Sequence, residues 1–193
     1  IFPLFLFLGG VSIPIALEKR LARGVPRAVL LRQVVVRTIT LIFFGLLVND
    51  LLDLNLLTMR WPGVLQRIAI GYCAASLAVL YLSRRAQAIL FGLLLVGYWL
   101  ILLAVPVPGV GAYVLTPEGN LAGYVDRLLI PGSFCCYRFG DNEGLLSTLP
   151  AIGTALLGVL TSYWLRSPQP AERTIKGLAG GGVAAIVLAL VWN

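Results

Sequence analysis

Arg60-Trp61-Pro62-Gly63-Val64-Leu65-Gln66-Arg67 places two guanidiniums and a carboxamide at the mouth of an apolar run that continues to Leu82. A charge inserted at bilayer depth costs about 2.5–3.5 kcal/mol, so such residues usually face a cavity or a partner. Pro62 suits a first helical position, where its missing N–H is no loss. The free N–H groups and positive dipole of the helix start would then point to the same place as the two arginines. That is the chemistry of an anion site. Arg37, inside a second apolar run, offers a phosphate contact or a snorkelling cation. Snorkelling is equally the plain alternative for Arg67. Asn49 reads as a cap or a cavity residue.

Acidic partners lie further along, in Asp126-Arg127 and Asp141-Asn142-Glu143. Two carboxylates facing one site can share general acid–base work. The plainer reading of Asp141 and Glu143 is a helix start with acids on the dipole. There is no histidine in the 193 residues, and no nucleophile elbow, phosphate loop or dinucleotide fingerprint. Cys73 reads as a small apolar filler, and Cys135 and Cys136 are neighbours whose direct bridge would be strained. No spacing suggests zinc, and no metal is expected.

The elements that must position these groups are membrane helices. The chain is 59% hydrophobic and only 12% charged, with a mean hydropathy of +0.94. A soluble domain carries about 25% charge. Six apolar segments emerge, at Phe2–Leu17, Gln33–Val48, Val64–Leu82, about Ala86–Val105, Leu145–Leu165 and Leu178–Trp192. The expected fold is an all-α integral membrane protein of about six transmembrane helices, the first and last truncated. A basic stretch, Glu18–Arg32, links the first two, and Asn49–Trp61 forms a short loop. Pro106–Gly144 forms a long loop, in which Leu121–Ile130 is a candidate helix. Loops of that length are uncommon without a role. Glycines at 9, 10, 177, 180, 181 and 182 permit close helix packing.

Charge sorts by loop. One set holds Lys19, Arg20, Arg23, Arg27, Arg32, Arg37, Arg84, Arg85, Arg166, Arg173 and Lys176 with Glu18 and Glu172, or 11 cations and 2 acids. The other holds Arg60, Arg67, Arg127 and Arg138 with Asp50, Asp53, Glu118, Asp126, Asp141 and Glu143, or 4 cations and 6 acids. The positive-inside bias makes loops 18–32, 83–86 and 166–177 cytoplasmic, and loops 49–62 and 106–144 extracytoplasmic. The net charge of +7 is therefore topology, with no nucleic-acid partner.

Arg60 to Tyr72, RWPGVLQRIAIGY, resembles the R-I-P-G-V-L-Q-R signature of the heparan-α-glucosaminide N-acetyltransferase catalytic-domain family, in its bacterial type. Phe2–Ile13, Pro106–Tyr124, Gly123–Gly132 and Asp141–Gly158 resemble further stretches of that family in collinear order. Trp61 stands where the family has isoleucine, and Asn142 where it has proline. The resemblance implies that residues 1–193 are an internal part of one polytopic acyltransferase domain. It implies acetyl transfer from cytoplasmic acetyl-CoA to an amino-sugar or glycan acceptor across a membrane, here a bacterial inner membrane. The expected partners are the bilayer, acetyl-CoA, that acceptor and, if the protein self-associates, a second copy of the chain. The matching positions are Arg37, Asn49, Arg60, Gln66, Arg67, Asp126, Arg127, Asp141 and Glu143, all as substrate- or cofactor-binding residues. The family's catalytic histidine is expected upstream of Ile1, so no catalytic residue is assigned, and the piece alone is expected to be inactive. The competing reading is a transporter or permease subunit for an anionic solute, which internal repeats would favour. No convincing repeat is present.

Overall fold

Among the described residues, long apolar runs bounded by arginines, prolines and glycines become six long helices: α1 (Phe2–Ala22), α2 (Arg27–Val48), α3 (Val64–Tyr81), α4 (Arg84–Ala104), α6 (Thr148–Leu165) and α7 (Ala171–Trp192). A short α5 (Leu121–Leu129) and a two-residue antiparallel ladder, β1 (Cys136–Tyr137) with β2 (Gly140–Asp141), lie between α4 and α6. The structure, a computed structural model, describes residues 2–49, 59–134 and 136–192. Asp50, Asp53, most of the Asn49–Trp61 loop and Cys135 lie outside the described residues. All six long helices are long and apolar enough to cross a membrane. The chain is an all-α integral membrane protein.

Several boundaries correct the hydropathy reading. Glu18, Lys19 and Arg20 finish α1, and Arg27 and Arg32 open α2, so the basic link shrinks to a turn around Gly24, whose φ is +78°. Lysine and arginine are good helix formers, so the helix outlasts the apolar run. For the same reason α4 starts at Arg84, capped by the Ser83 hydroxyl, and α7 starts at Ala171. Arg37 consequently sits ten residues into α2, about 15 Å along it. Pro62 is not a first helical residue: Gly63 is the N-cap of α3 and Pro62 precedes it.

The helices run alternately up and down. Phe2, Asn49, Gly63 and Ser147 gather at one end, while Glu18, Arg84 and Arg166 gather at the other. The core lies between α1, α3 and α6, where Leu6, Ile13, Ala75, Ala155, Leu156 and Val159 are buried. In lipid, helix association relies on close packing more than on the hydrophobic effect. A Cβ on Gly10 would stand 2.0 Å from the Ala155 carbonyl oxygen, and one on Gly158 2.1 Å from that of Phe7. The α1 and α6 backbones therefore touch at these two glycines. Gly9 and Gly180 to Gly182 do not serve this role, since a Cβ on any of them would meet nothing within 4 Å. No residue of α7 described by burial is buried, and Phe5, Ile39, Leu93 and Ile186 face outward, as lipid contact requires.

Candidate functional site

The connection into α3, from the buried Met59 to the buried Gly63, is largely withdrawn from solvent, so its carbonyls need protein donors. Asn49, which caps α2, supplies two: its amide donates to the carbonyls of Arg60 (3.0 Å) and Pro62 (2.8 Å). Gln66, one turn into α3, donates to the Trp61 carbonyl at 3.3 Å. The Gln66 carboxamide is packed between Gly45 and Gly63, where a Cβ would come within 2.4 and 2.6 Å of its oxygen. The amide nitrogens of both are thus committed to holding the turn. On its far side, Arg60 pairs in an isolated antiparallel bridge with Gly132, whose φ is +89°. A Cβ there would meet the Met59 carbonyl oxygen at 2.0 Å, so only glycine fits.

Held this way, Arg60 faces the segment before α6. Its Nε and Nη2 donate to both Asp141 carboxylate oxygens, at 2.8 and 2.6 Å, and Nη2 also donates to Glu143. The Asp141 side chain is fully buried, and those of Glu143 and Arg60 are 14% and 22% exposed. The hydrogen bond to Asp141 and the charges of both acids raise the Arg60 pKa, against a smaller lowering by burial. Asp141 also accepts from the Glu143 backbone N–H at 2.9 Å. These acids do not sit in the first turn of α6, which begins only at Thr148. The simple helix-start reading of Asp141 and Glu143 is corrected: they clamp an arginine some 80 residues away in sequence.

Asp126 braces the clamp from α5. Its carboxylate is buried and accepts from the Leu145 N–H (2.9 Å) and the Asp141 N–H (3.3 Å). Burial raises its pKa, and those two backbone donors lower it in part. A Cβ on Gly144 would lie 2.0 Å from the Asp126 carboxylate, so this packing also requires glycine. Arg127, exposed, donates to the Phe139 carbonyl and ties α5 to the β1–β2 hairpin.

Arg67 behaves differently from Arg60. Its Nη2 donates to the Ser147 hydroxyl, its guanidinium carbon lies 5.8 Å from the Phe2 ring centre, and its buried Nε has no hydrogen-bond partner. It lines a cavity of about 290 Å³ between the start of α3, the Leu129–Pro131 stretch and the start of α6. The walls are mostly apolar, with Gln66, Arg67, Glu143 and Thr148 among them. The structure thus brings together Asn49, Arg60, Gln66, Arg67, Asp126, Arg127, Asp141 and Glu143 at one end of the bundle. Arg37 is elsewhere, stacked 4.8 Å from the Tyr72 ring centre and exposed on α2. Ser147 and the Leu129–Pro131 wall, which the sequence did not single out, also border this region. Ser147 directly before Thr148 carried a faint signal, as a hydroxyl at a helix entrance. Among the described residues no group of three or more His, Cys, Asp or Glu side chains could hold a metal ion.

A buried, charge-clamped entrance above a polar-tipped cavity, set on six apolar spans among the described residues, belongs to an integral membrane protein. No protein-family model matches the chain. It is 31% identical to the human heparan-alpha-glucosaminide N-acetyltransferase, over 82% of this chain and 31% of that protein. It is 30% identical to the mouse heparan-alpha-glucosaminide N-acetyltransferase, over 82% of this chain and 32% of that protein. The chain is a distant relative of the heparan-alpha-glucosaminide N-acetyltransferases, and spans about a third of the length of these curated relatives.

Proposed function

We propose that the chain is part of a single polytopic acyltransferase domain that moves an acetyl group from cytoplasmic acetyl-CoA to the amine of an amino sugar or glycan on the extracytoplasmic side, in a bacterial inner membrane. The distant relationship supports the reaction class, and the loop charges support the sidedness, with the Arg60 end outside. The observation that carries the reading is the unequal use of the two arginines. Arg60 is spent on Asp141 and Glu143, whereas Arg67 borders the cavity with an Nε–H that has no protein acceptor.

Thioester aminolysis fits this arrangement. The amine nitrogen attacks the acetyl carbonyl carbon, negative charge develops on its oxygen, and the C–S bond then breaks with its electron pair leaving on the CoA sulfur. The proton lost by the nitrogen ends on that sulfur, so the products are the N-acetyl amine and free CoA thiol. Arg67 donates to the developing oxyanion, a role in which one well-placed donor contributes about 2.7–4 kcal/mol. Glu143 attracts and orients the acceptor amine. The cavity lies at the small end of the ligand-pocket range, so it takes the acetyl end and the amine and leaves the nucleotide elsewhere. Arg37, twelve residues before Asn49 and about 18 Å from it along α2, is assigned to phosphate. In this reading Asn49, Gln66, Asp126 and Arg127 position the entrance.

Proteoliposomes bearing the full-length protein test the reading. Release of free CoA thiol should depend on an added amino sugar and match the N-acetyl sugar formed. Movement of an anionic solute without thiol release would replace it with the transporter reading.

A further inference from the structure

A second polar opening lies at the end of the bundle away from the Arg60 clamp. It encloses about 510 Å³ and is bordered by Arg84, Tyr163, Trp164, Ser167, Gln169 and Arg173. Cations prevail around it: Arg84, Arg85, Arg166, Arg173 and Lys176 stand against Glu18 and Glu172. Lys176 takes Glu172 at 2.6 Å, and Arg166 takes Glu18 at 2.5 Å. Arg84 is left 3.9 Å from Glu18, over the Tyr163 ring, and Arg173 makes no ion pair among the described residues.

Leu160 and Trp164 border this mouth and also a neighbouring space of about 640 Å³ between α6 and α7. That space is apolar, walled by Phe7, Phe91 and Leu157 and by Gly177, Gly181 and Ala185 of α7. From Gly177 to Ala185 it follows α7 for about 12 Å. A cationic mouth at the level of the helix ends therefore adjoins, across Leu160 and Trp164, an apolar groove that follows the exposed α7. A soluble anion would satisfy only the mouth, and another apolar helix would leave the mouth's cations unmatched. An amphiphile with an anionic head satisfies both.

We propose that this is a binding site for an anionic phospholipid. Its phosphate lies between Arg84 and Arg173, with Ser167 and Gln169 as neutral donors, and an acyl chain follows the α6–α7 groove. Trp164 at the mouth suits the interfacial level of a bilayer. The site is independent of the acyl-transfer reading.

The test uses full-length protein purified in detergent, with lipid retention followed by native mass spectrometry and stability by thermal unfolding. Phosphatidylglycerol should be retained and should raise Tm, while phosphatidylcholine and inorganic phosphate should do neither. The R84Q/R173Q variant should bind phosphatidylglycerol about thirtyfold more weakly, the loss expected for two near-surface cations. R85Q, outside the mouth, should change binding less than about twofold. Gly181→Leu should fill the groove and weaken retention; a Cβ at Gly181 meets nothing within 4 Å, so the fold should tolerate it. Equal retention of phosphatidylcholine, an equal Tm rise with phosphate, or undiminished binding by R84Q/R173Q would overturn the proposal.

Discussion

The two ends of the bundle carry charge clusters of opposite design. At one, a single cation, Arg60, is gripped by two carboxylates; at the other, a single carboxylate, Glu18, lies between two cations. The chemistry is similar and the surroundings are not. Asp141 is fully buried, whereas the side chain of Glu18 is 34% exposed and that of Arg84 is 68% exposed. Water and salt weaken the exposed cluster, so it sets topology and surface potential more than stability. Out of water the same ion pairs fix geometry, and losing one partner leaves a costly orphan. The Arg60 clamp is therefore a positioning device that joins the entrance of α3 to the entrance of α6, with the cavity between them.

Removing groups one at a time should separate the two ends. Asp141→Ala leaves Arg60 with Glu143 alone and should cost about 3 kcal/mol, visible as a large fall in detergent Tm. Gly132→Ala strains a left-handed backbone and drives a methyl into the Met59 carbonyl. It should cost about 2 kcal/mol, and local hydrogen exchange near Arg60 should rise. Asp126→Asn swaps one of two acceptors for a donor facing a backbone N–H, costing about 1–2 kcal/mol. It should also change a pH profile. Burial raises the Asp126 pKa, so the folded chain takes up this proton at higher pH than the unfolded chain. Its contribution to stability therefore falls as pH rises from the ordinary carboxylate value through the raised one. Asp126→Asn should flatten the Tm–pH curve across that window. Glu18→Gln should cost less than about 1 kcal/mol, and a loss as large as that of Asp141→Ala would erase the contrast between the ends.

The spans were legible because apolar runs of bilayer length have few alternatives. Their ends were not, because Lys19, Arg20, Arg27 and Arg84 continue a helix as readily as leucine does. The candidate site was legible as a set of residue types. Its division of labour was not: nothing local in Asp141-Asn142-Glu143 separates a helix start from a clamp on Arg60. Asn49 likewise looks like a cavity group until the carbonyls of Arg60 and Pro62 are seen to occupy its amide, and Gln66, which does line the cavity, also holds the Trp61 carbonyl.

The most direct test of the account is turnover by Arg67→Ala in the full-length protein, measured as amino-sugar-dependent release of CoA thiol beside a Tm control. Turnover should fall about a hundredfold or more, the loss expected for one oxyanion donor, with the fold retained. Turnover equal to that of the unaltered protein would contradict it.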